Sequence, residues 1–241
     1  PHLLQRQKPA LYHAVSNFNL PLVKPQNVPL VLTVHDLVPI LLPETVSAAF
    51  RWQFRIWLSR SLKVADQIIC VSETARQSLV ENFDVDDAKL SVVLHGVDHL
   101  DAVAPPDETT VTWLETLGLA EPWILYAGAL DARKNVQVLL RALEILRARG
   151  QKPTLVLAGQ KWFGSRAVEH EVVRLRRQGV DIRMLGYLSA TPFYALMRRA
   201  SIFVFPSRYE GFGLPPLEAM YLGVPSIVST GGSLTEVCGP G

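Results

Sequence analysis

The feature that most constrains this chain is a recurrence of short, unbroken apolar runs, set between segments of helical periodicity. The runs fall at 10–15, 30–34, 67–71, 91–94, 123–126, 154–157, 182–185, 202–205 and 226–228. They are continuous rather than alternating, so strands built from them must be covered on both faces. That is the condition of a parallel sheet held between two helix layers. Between the runs the pattern turns helical. Over 135–149, Val138, Leu139, Ala142, Ile145 and Leu146 fall on one predicted face. Strand–helix–strand repetition predicts an α/β, doubly wound architecture.

The pattern lapses at 98–110, DHLDAVAPPDETT, which has paired prolines, several acids and neither periodicity. It reads as a linker and divides the chain into domains at 1–105 and 106–241. The second holds five candidate strands, close to a whole Rossmann-like unit. The first holds four and reads as incomplete, as though begun mid-domain. The ends, Pro1 and the closing GPG, read as cut. A chain of 241 residues suffices for two small domains.

The net charge of +2 is too mild to argue for nucleic acid, although the basic excess lies in the second half, where it suits a small anionic ligand. Cys70 and Cys238 are far apart, and Cys70, inside QIICV, reads as a buried small hydrophobe. So few cysteines suit a reducing compartment. No apolar run reaches the ~18–20 residues of a membrane span. A cytoplasmic location is expected, with peripheral contact at the inner face of the membrane as an option.

Chemistry concentrates at 207–220, SRYEGFGLPPLEAM, between the strand IFVF and a helix expected to start near Pro215. Proline suits a first helical turn, whose N–H groups lack intrahelical partners. Gly211 and Gly213 allow a tight turn and close approach to a ligand. The amides of Gly213, Leu214 and Leu217 are expected to point from the helix N-terminus, where a phosphate binds well. The loop also lies where ligands bind open α/β sheets, outside the carboxyl ends of the strands. Glu210 and Glu218 frame it, and a carboxylate can accept two hydroxyls of a sugar or ribose at once. A loop surface charge and a first-turn partner of the helix dipole are the purely structural alternatives. In YAGALDARKNVQVLL, Arg133 and Lys134 stand just before a helix, where cations oppose the dipole. A bound diphosphate would resolve that conflict, with Arg as a planar fork and Lys as a point charge.

Glu210-x7-Glu218 within EGFGLPPLEAM resembles the signature of family 4 retaining glycosyltransferases. The likeness extends in order through YHAVSNFNLP, TVHDLVP, ADQIICVSETAR, HGVD, YAGALDARKNV, LGYLS and GVPSIVST. It implies the GT-B fold of two Rossmann-like domains with parallel sheets. It also implies that Glu210 contacts the transferred sugar, that Glu218 holds the ribose, and that His35, closing a strand, points near the sugar. Gly128, Arg133, Lys134, Gly211, Phe212, Gly213 and Leu214 would complete the donor site. The backbone of Gly186, Tyr187 and Leu188 would face the base. Many relatives carry Arg directly after the glycine; here Ala129 stands there. The sequence is similar instead to the branch with G-x-x-x-x-R-K-N, in which Arg133 adjoins Lys134.

Other features have plainer readings. Asp36 caps or braces a loop, and Ser72 is a helix N-cap. Arg174, Arg176 and Arg177 form a solvated helix face. The segment 50–63 mixes Trp52, Phe54, Ile56, Trp57 and Leu58 with Arg51, Arg55 and Arg60. It reads as a packing helix, or as a surface for an anionic membrane or lipid-linked acceptor.

The resemblance thus implies a metal-independent retaining hexosyltransferase. Its co-substrate would be a nucleoside-diphosphate sugar, GDP-mannose ahead of a UDP-hexose, and its acceptor a glycan or lipid-linked hydroxyl, with no cofactor. No His/Cys cluster of ligand spacing points to a metal. A GT-B phosphorylase, a sugar-nucleotide epimerase and an inactive nucleotide-sugar-binding fragment are the alternatives. A dehydrogenase fits poorly, because no G-x-G-x-x-G opens a βαβ unit.

Overall fold

The structure, a computed structural model, describes residues 9–21, 23–161 and 165–239. The chain forms two compact units. One comprises the chain up to His95 together with Tyr209–Phe212; the other comprises Gly96–Arg208 and Gly213 onward.

The first unit holds a four-stranded parallel sheet in chain order: β1 (Tyr12–Ala14), β2 (Leu30–Val34), β3 (Gln67–Cys70) and β4 (Leu90–Val92). The connections carry α1 (Val38–Leu41), α2 (Ala48–Val64) and α3 (Glu73–Asn82). β2 lies inside the sheet, and Leu30, Leu32 and Val34 on it are fully buried. Hydroxyl caps start the longer helices. Ser47 accepts from the Phe50 amide at 3.2 Å and Ser72 from the Ala75 amide at 2.9 Å, each satisfying a first-turn donor.

In the second unit β5 (Trp123–Ala127), β6 (Thr154–Ala158), β7 (Ile182–Gly186), β8 (Ile202–Phe205) and β9 (Ser226–Val228) form a parallel sheet of order β7-β6-β5-β8-β9. Its helices are α4 (Glu108–Thr116), α5 (Val136–Ala148), α6 (Ser165–Arg177), α7 (Ala190–Arg198), α8 (Leu214–Tyr221) and α9 (Leu234–Cys238). The chain winds outward from β5 to β7, then returns to place β8 on the other side of β5. The topological switch point therefore lies between β5 and β8, and in such sheets ligands bind at the carboxyl ends of those strands. All nine apolar runs became strands, three of them with unchanged ends and the others with ends moved by no more than two residues.

Two expectations change. The predicted face of α5 is rotated: Val136, Leu139, Leu140 and Leu143 are buried, while Val138 and Ile145 are exposed. Both sets have helical spacing, and contact with the core of the second unit selects between them. The stretch 98–110 is structured at both ends. Asp98–Leu100 forms a 3₁₀ turn whose Leu100 joins that core, and Asp107 caps α4 by accepting from the Thr110 amide at 2.7 Å. Short polar segments can fold through caps and single anchors that neither periodicity reveals.

Candidate functional site

In the second unit, the loops after β5 and β8 flank the switch point. Arg208 N–H donates to the Arg133 carbonyl at 2.8 Å and the Ser207 hydroxyl to the same oxygen at 3.3 Å, so the two loops are tied directly. Gly128 follows β5, and Asp131 organises the loop beyond it. One Asp131 oxygen accepts from the Lys134 amide at 2.9 Å; the other lies 4.0 Å from the Arg133 guanidinium. Lys134 is only 9% exposed, and its ammonium stands 4.6 Å from the centre of the Phe205 ring. An aromatic face partly offsets the cost of burying a cation and fixes where it points. Asn135, in the left-handed conformation, precedes α5 and provides no side-chain cap.

Gly213, at φ 101°, opens α8, and a Cβ there would sit 2.6 Å from Leu234. The helix begins at Leu214, one residue before the expected start. Pro215 and Pro216 have no N–H, and the Leu217 amide, expected to face a ligand, instead donates to the Gly213 carbonyl at 3.4 Å. The opening thus offers two main-chain donors at most, Gly213 and Leu214, because the helix has already closed its first turn.

Glu218 is 7% exposed and sits beyond the first turn of α8. The Tyr194 hydroxyl donates to its Oε1 at 3.0 Å, and His99 Nε2 lies 3.0 Å from the same oxygen and 3.1 Å from the Tyr194 hydroxyl. Burial first, then the Glu218 charge, raises the Tyr194 pKa, so the phenol keeps its proton. Gly186 ends β7, Tyr187 is 71% exposed and Leu188 packs against the core.

The first unit takes Glu210, Gly211 and Phe212, three residues expected in the second domain. Gly211 lies against the end of β2, where an added Cβ would come 1.8 Å from the His35 carbonyl oxygen. The Ser72 hydroxyl donates to the Gly211 carbonyl at 2.6 Å while capping α3, so its role exceeds capping. Tyr209 approaches Ser78 at 3.3 Å. Burial pushes the Tyr209 hydroxyl above its ordinary range, the Ser78 contact opposes this, and the charges of Asp36 and Glu210 add to it. Glu210 is 8% exposed.

His35 follows β2. Its Nε2 lies 2.8 Å from the Val15 carbonyl oxygen, which can only accept, so Nε2 carries a proton. Its ring stacks 5.7 Å from His95, which meets Phe212 edge to face at 5.0 Å. Burial, then the neighbouring His35, lowers the His95 pKa. The buried Asn17 holds both sides of this turn, accepting from the His35 amide and donating to the Asp36 carbonyl, each at 3.1 Å. Asp36 accepts from the Val38 amide at 3.1 Å, the brace expected of it.

Sequence reasoning assigned no role to Asn17, His95, His99 or Tyr194. Asn17 and His95 sat inside quoted motifs, but their hydrogen-bond and ring contacts come from residues 18 to 117 positions away. The arginines of α6 are exposed, as expected of a solvated face. Arg174 pairs with Glu144 and Glu171, and Arg176 donates to the Ile182 carbonyl. Among the described residues no three His, Cys, Asp or Glu side chains are grouped to hold a metal ion, and no helix is long and apolar enough to cross a membrane.

These segments recur in known proteins. Residues 1–99 match the model of Glycosyltransferase Family 4 and residues 115–241 that of Glycosyl transferases group 1. The chain is 33% identical over 241 residues to the O-antigen chain mannosyltransferase B of Escherichia coli, covering 98% of this chain and 61% of that protein. It is 31% identical over 237 residues to the glycogen synthase of Mycobacterium tuberculosis, covering 95% and 54%. The chain thus spans somewhat over half the length of these curated relatives. The crystal structure of HepE from Anabaena, in complex with UDP and glucose, superposes with a TM-score of 0.69 at 23% identity, over 87% of this chain and 55% of that one. Such a likeness bears on the fold alone, and the fold is α/β with the Rossmann-like units of GT-B glycosyltransferases. The group 1 match spans more than half of the chain, from α4 to the end, and by it the protein belongs to the glycosyl transferases group 1 family.

Proposed function

We propose that the chain is the donor-binding part of a metal-independent, retaining hexosyltransferase that uses a nucleoside-diphosphate sugar. The observation that carries this is the burial of Lys134 and Glu218 behind the two strands that flank the switch point. A buried ammonium suits a diphosphate, and a buried carboxylate suits the hydroxyls of a ribose. In this reading Arg133, Lys134 and the Gly213 and Leu214 amides hold the diphosphate. Glu218 accepts from the ribose, and the backbone of Gly186–Leu188 faces the base. Glu210 contacts the transferred sugar, with His35 near it.

During transfer the bond from the anomeric carbon to the diphosphate oxygen breaks, and the acceptor oxygen bonds to that carbon on the same face. The acceptor proton passes to the departing phosphate. Fixed cations and amides stabilise the charge that develops there, the task a divalent metal performs elsewhere. Mannose from GDP-mannose is the favoured hexose, supported by the G-x-x-x-x-R-K-N pattern and by similarity to a mannosyltransferase. A UDP-hexose is second, because HepE is described with UDP and glucose.

Thermal shift against a panel of nucleotide sugars tests the reading. A specific donor at 100 times its Kd adds about 2.7 kcal/mol to stability; no shift with any donor would overturn it. Transfer by the full-length parent should survive EDTA. Complete loss, restored by Mg²⁺ or Mn²⁺, would overturn metal independence. Product analysis separates transfer from phosphorolysis and from epimerisation of the donor.

One observation favours a lipid-linked acceptor over a soluble glycan. Helix α2 carries Arg51, Arg55, Arg60 and Lys63, no acidic residue, and an exposed Phe50, Trp52, Ile56 and Trp57. Phe18, Phe50, Phe54 and Trp57 line a cavity of about 270 Å³ beside it. Exposed aromatics amid unopposed cations suit an anionic lipid surface. Sedimentation with anionic against neutral vesicles tests this, and equal binding to both would overturn it.

A further inference from the structure

We infer that Tyr194 and His99 are positioning residues which hold the Glu218 carboxylate by one oxygen and thereby present the other to the nucleotide ribose. The inference rests on the donor-site reading above and adds two residues that neither motif nor spacing marks.

The geometry is asymmetric. Among the described residues, both side-chain donors to Glu218 converge on Oε1 and none reaches Oε2. A carboxylate can only accept, so Tyr194 donates its hydroxyl proton and His99 the proton on Nε2. His99 Nε2 also lies 3.1 Å from the Tyr194 oxygen, which can accept from it while donating to Glu218. One tautomer, with the proton on Nε2, therefore satisfies all three contacts at once. The anchors come from separate elements: His99 from the 3₁₀ turn at Asp98–Leu100, Tyr194 from α7 and Glu218 from α8. Together they leave the carboxylate little freedom to rotate.

Oε2 receives no side-chain hydrogen bond among the described residues and keeps its acceptor capacity for another donor, such as a ligand hydroxyl. The ribose is the part of a nucleoside diphosphate that offers paired hydroxyls. Charge-assisted hydrogen bonds of this kind are worth about tenfold or more in affinity. Holding Oε1 in advance keeps that gain from being lost to ordering the side chain on binding.

The test uses the 241-residue chain, calorimetry, and GDP and UDP beside their 2′-deoxy and 3′-deoxy forms. The wild-type chain should favour at least one ribonucleotide over its deoxy form by about tenfold. Glu218→Ala should abolish that preference. Tyr194→Phe should reduce it several-fold while leaving affinity for the deoxy form unchanged, which a merely structural role would not do. His99→Ala should act in the same direction, and His99→Gln, which restores an N–H donor, should recover part of the preference. His99 is exposed, so its variants stay informative if Tyr194→Phe does not fold. Equal losses for ribo and deoxy ligands, or none, in the His99 and Tyr194 variants would overturn the inference while leaving nucleotide binding intact. A wild-type chain that binds both forms alike would overturn the ribose contact itself. One that binds no nucleoside diphosphate would overturn the donor-site reading and this inference with it.

Discussion

Among the described residues, the run up to His95 in the first unit buries no Lys, Arg, Asp or Glu, whereas the second unit buries both Lys134 and Glu218. The first unit's one buried charge, Glu210, arrives on the 209–212 segment. None of its own cations is buried, and four of them, Arg51, Arg55, Arg60 and Lys63, lie on α2 with exposed aromatics. Buried charge is costly unless something is bound or paired there; surface charge is not. The contrast separates a unit that would grip a small charged ligand from one that would present a surface to a larger acceptor.

The largest effect should come from Gly211→Ala. The added Cβ meets the His35 carbonyl at a distance no backbone tolerates, so the 209–212 segment must leave its place. Transfer by the full-length parent should disappear, and urea melting should report a loss of about 3 kcal/mol. Unchanged melting with full activity would show that the first unit does not depend on this segment.

Next in size is a chemical contrast between the two cysteines. Burial pushes the Cys70 thiol up to about 11, and Cys238, less buried, is raised too. At pH 8 Cys70 should react with a disulfide reagent about a hundredfold more slowly than a thiol of ordinary pKa, and Cys238 should react first. The linkage has a definite sign. The folded chain holds the Cys70 proton above the ordinary value of 9.0, so the unfolded chain releases it first. Stability should fall as pH rises from about 9 to about 11 and be unaffected by this group below that window. Rapid labelling of Cys70 at pH 8 would contradict the burial assigned to β3.

Lys134→Ala and Arg133→Ala sharpen the comparison from the second unit. Each should weaken nucleoside diphosphate binding by about ten- to hundredfold, and leave the nucleoside, which lacks phosphates, almost unaffected. A diphosphate bound normally by Arg133→Ala but not by Lys134→Ala would make Arg133 a surface charge, and nothing would then replace the arginine absent at Ala129. The smallest effect belongs to Trp52, which is 70% exposed. Trp52→Ala should change stability by no more than about 0.5 kcal/mol while lowering association with anionic vesicles. A marked loss of stability would mean that α2 packs where it is taken to be free.

Much of this organisation was legible in the residues. Continuous apolar runs marked all nine strands. The inner strands β2, β5 and β6 are buried along nearly their whole length, as strands covered on both faces must be, while edge strands such as β1, β4, β7 and β9 keep exposed positions. The Gly-rich turn before α8 was legible because its residues are consecutive and a left-handed Gly213 is a local requirement. The contacts of Glu218 were not legible. His99 is 119 positions away and Tyr194 is 24, and no local pattern reports such a meeting.

The sequence by itself determined the class of fold, the strands, the glycine-bearing loops after β5 and β8 and the family to which the chain belongs. These follow from local periodicity, turn chemistry and ordered motifs. Only the tertiary structure decided which face of α5 is buried, since two sets of apolar residues satisfied the same helical spacing. It alone closed the Leu217 amide into the helix and gave 209–212 to the first unit. It alone set two donors on one oxygen of Glu218. Periodicity states which residues can share a surface. Which of them do so depends on what packs against that surface, and the partners come from distant parts of the chain.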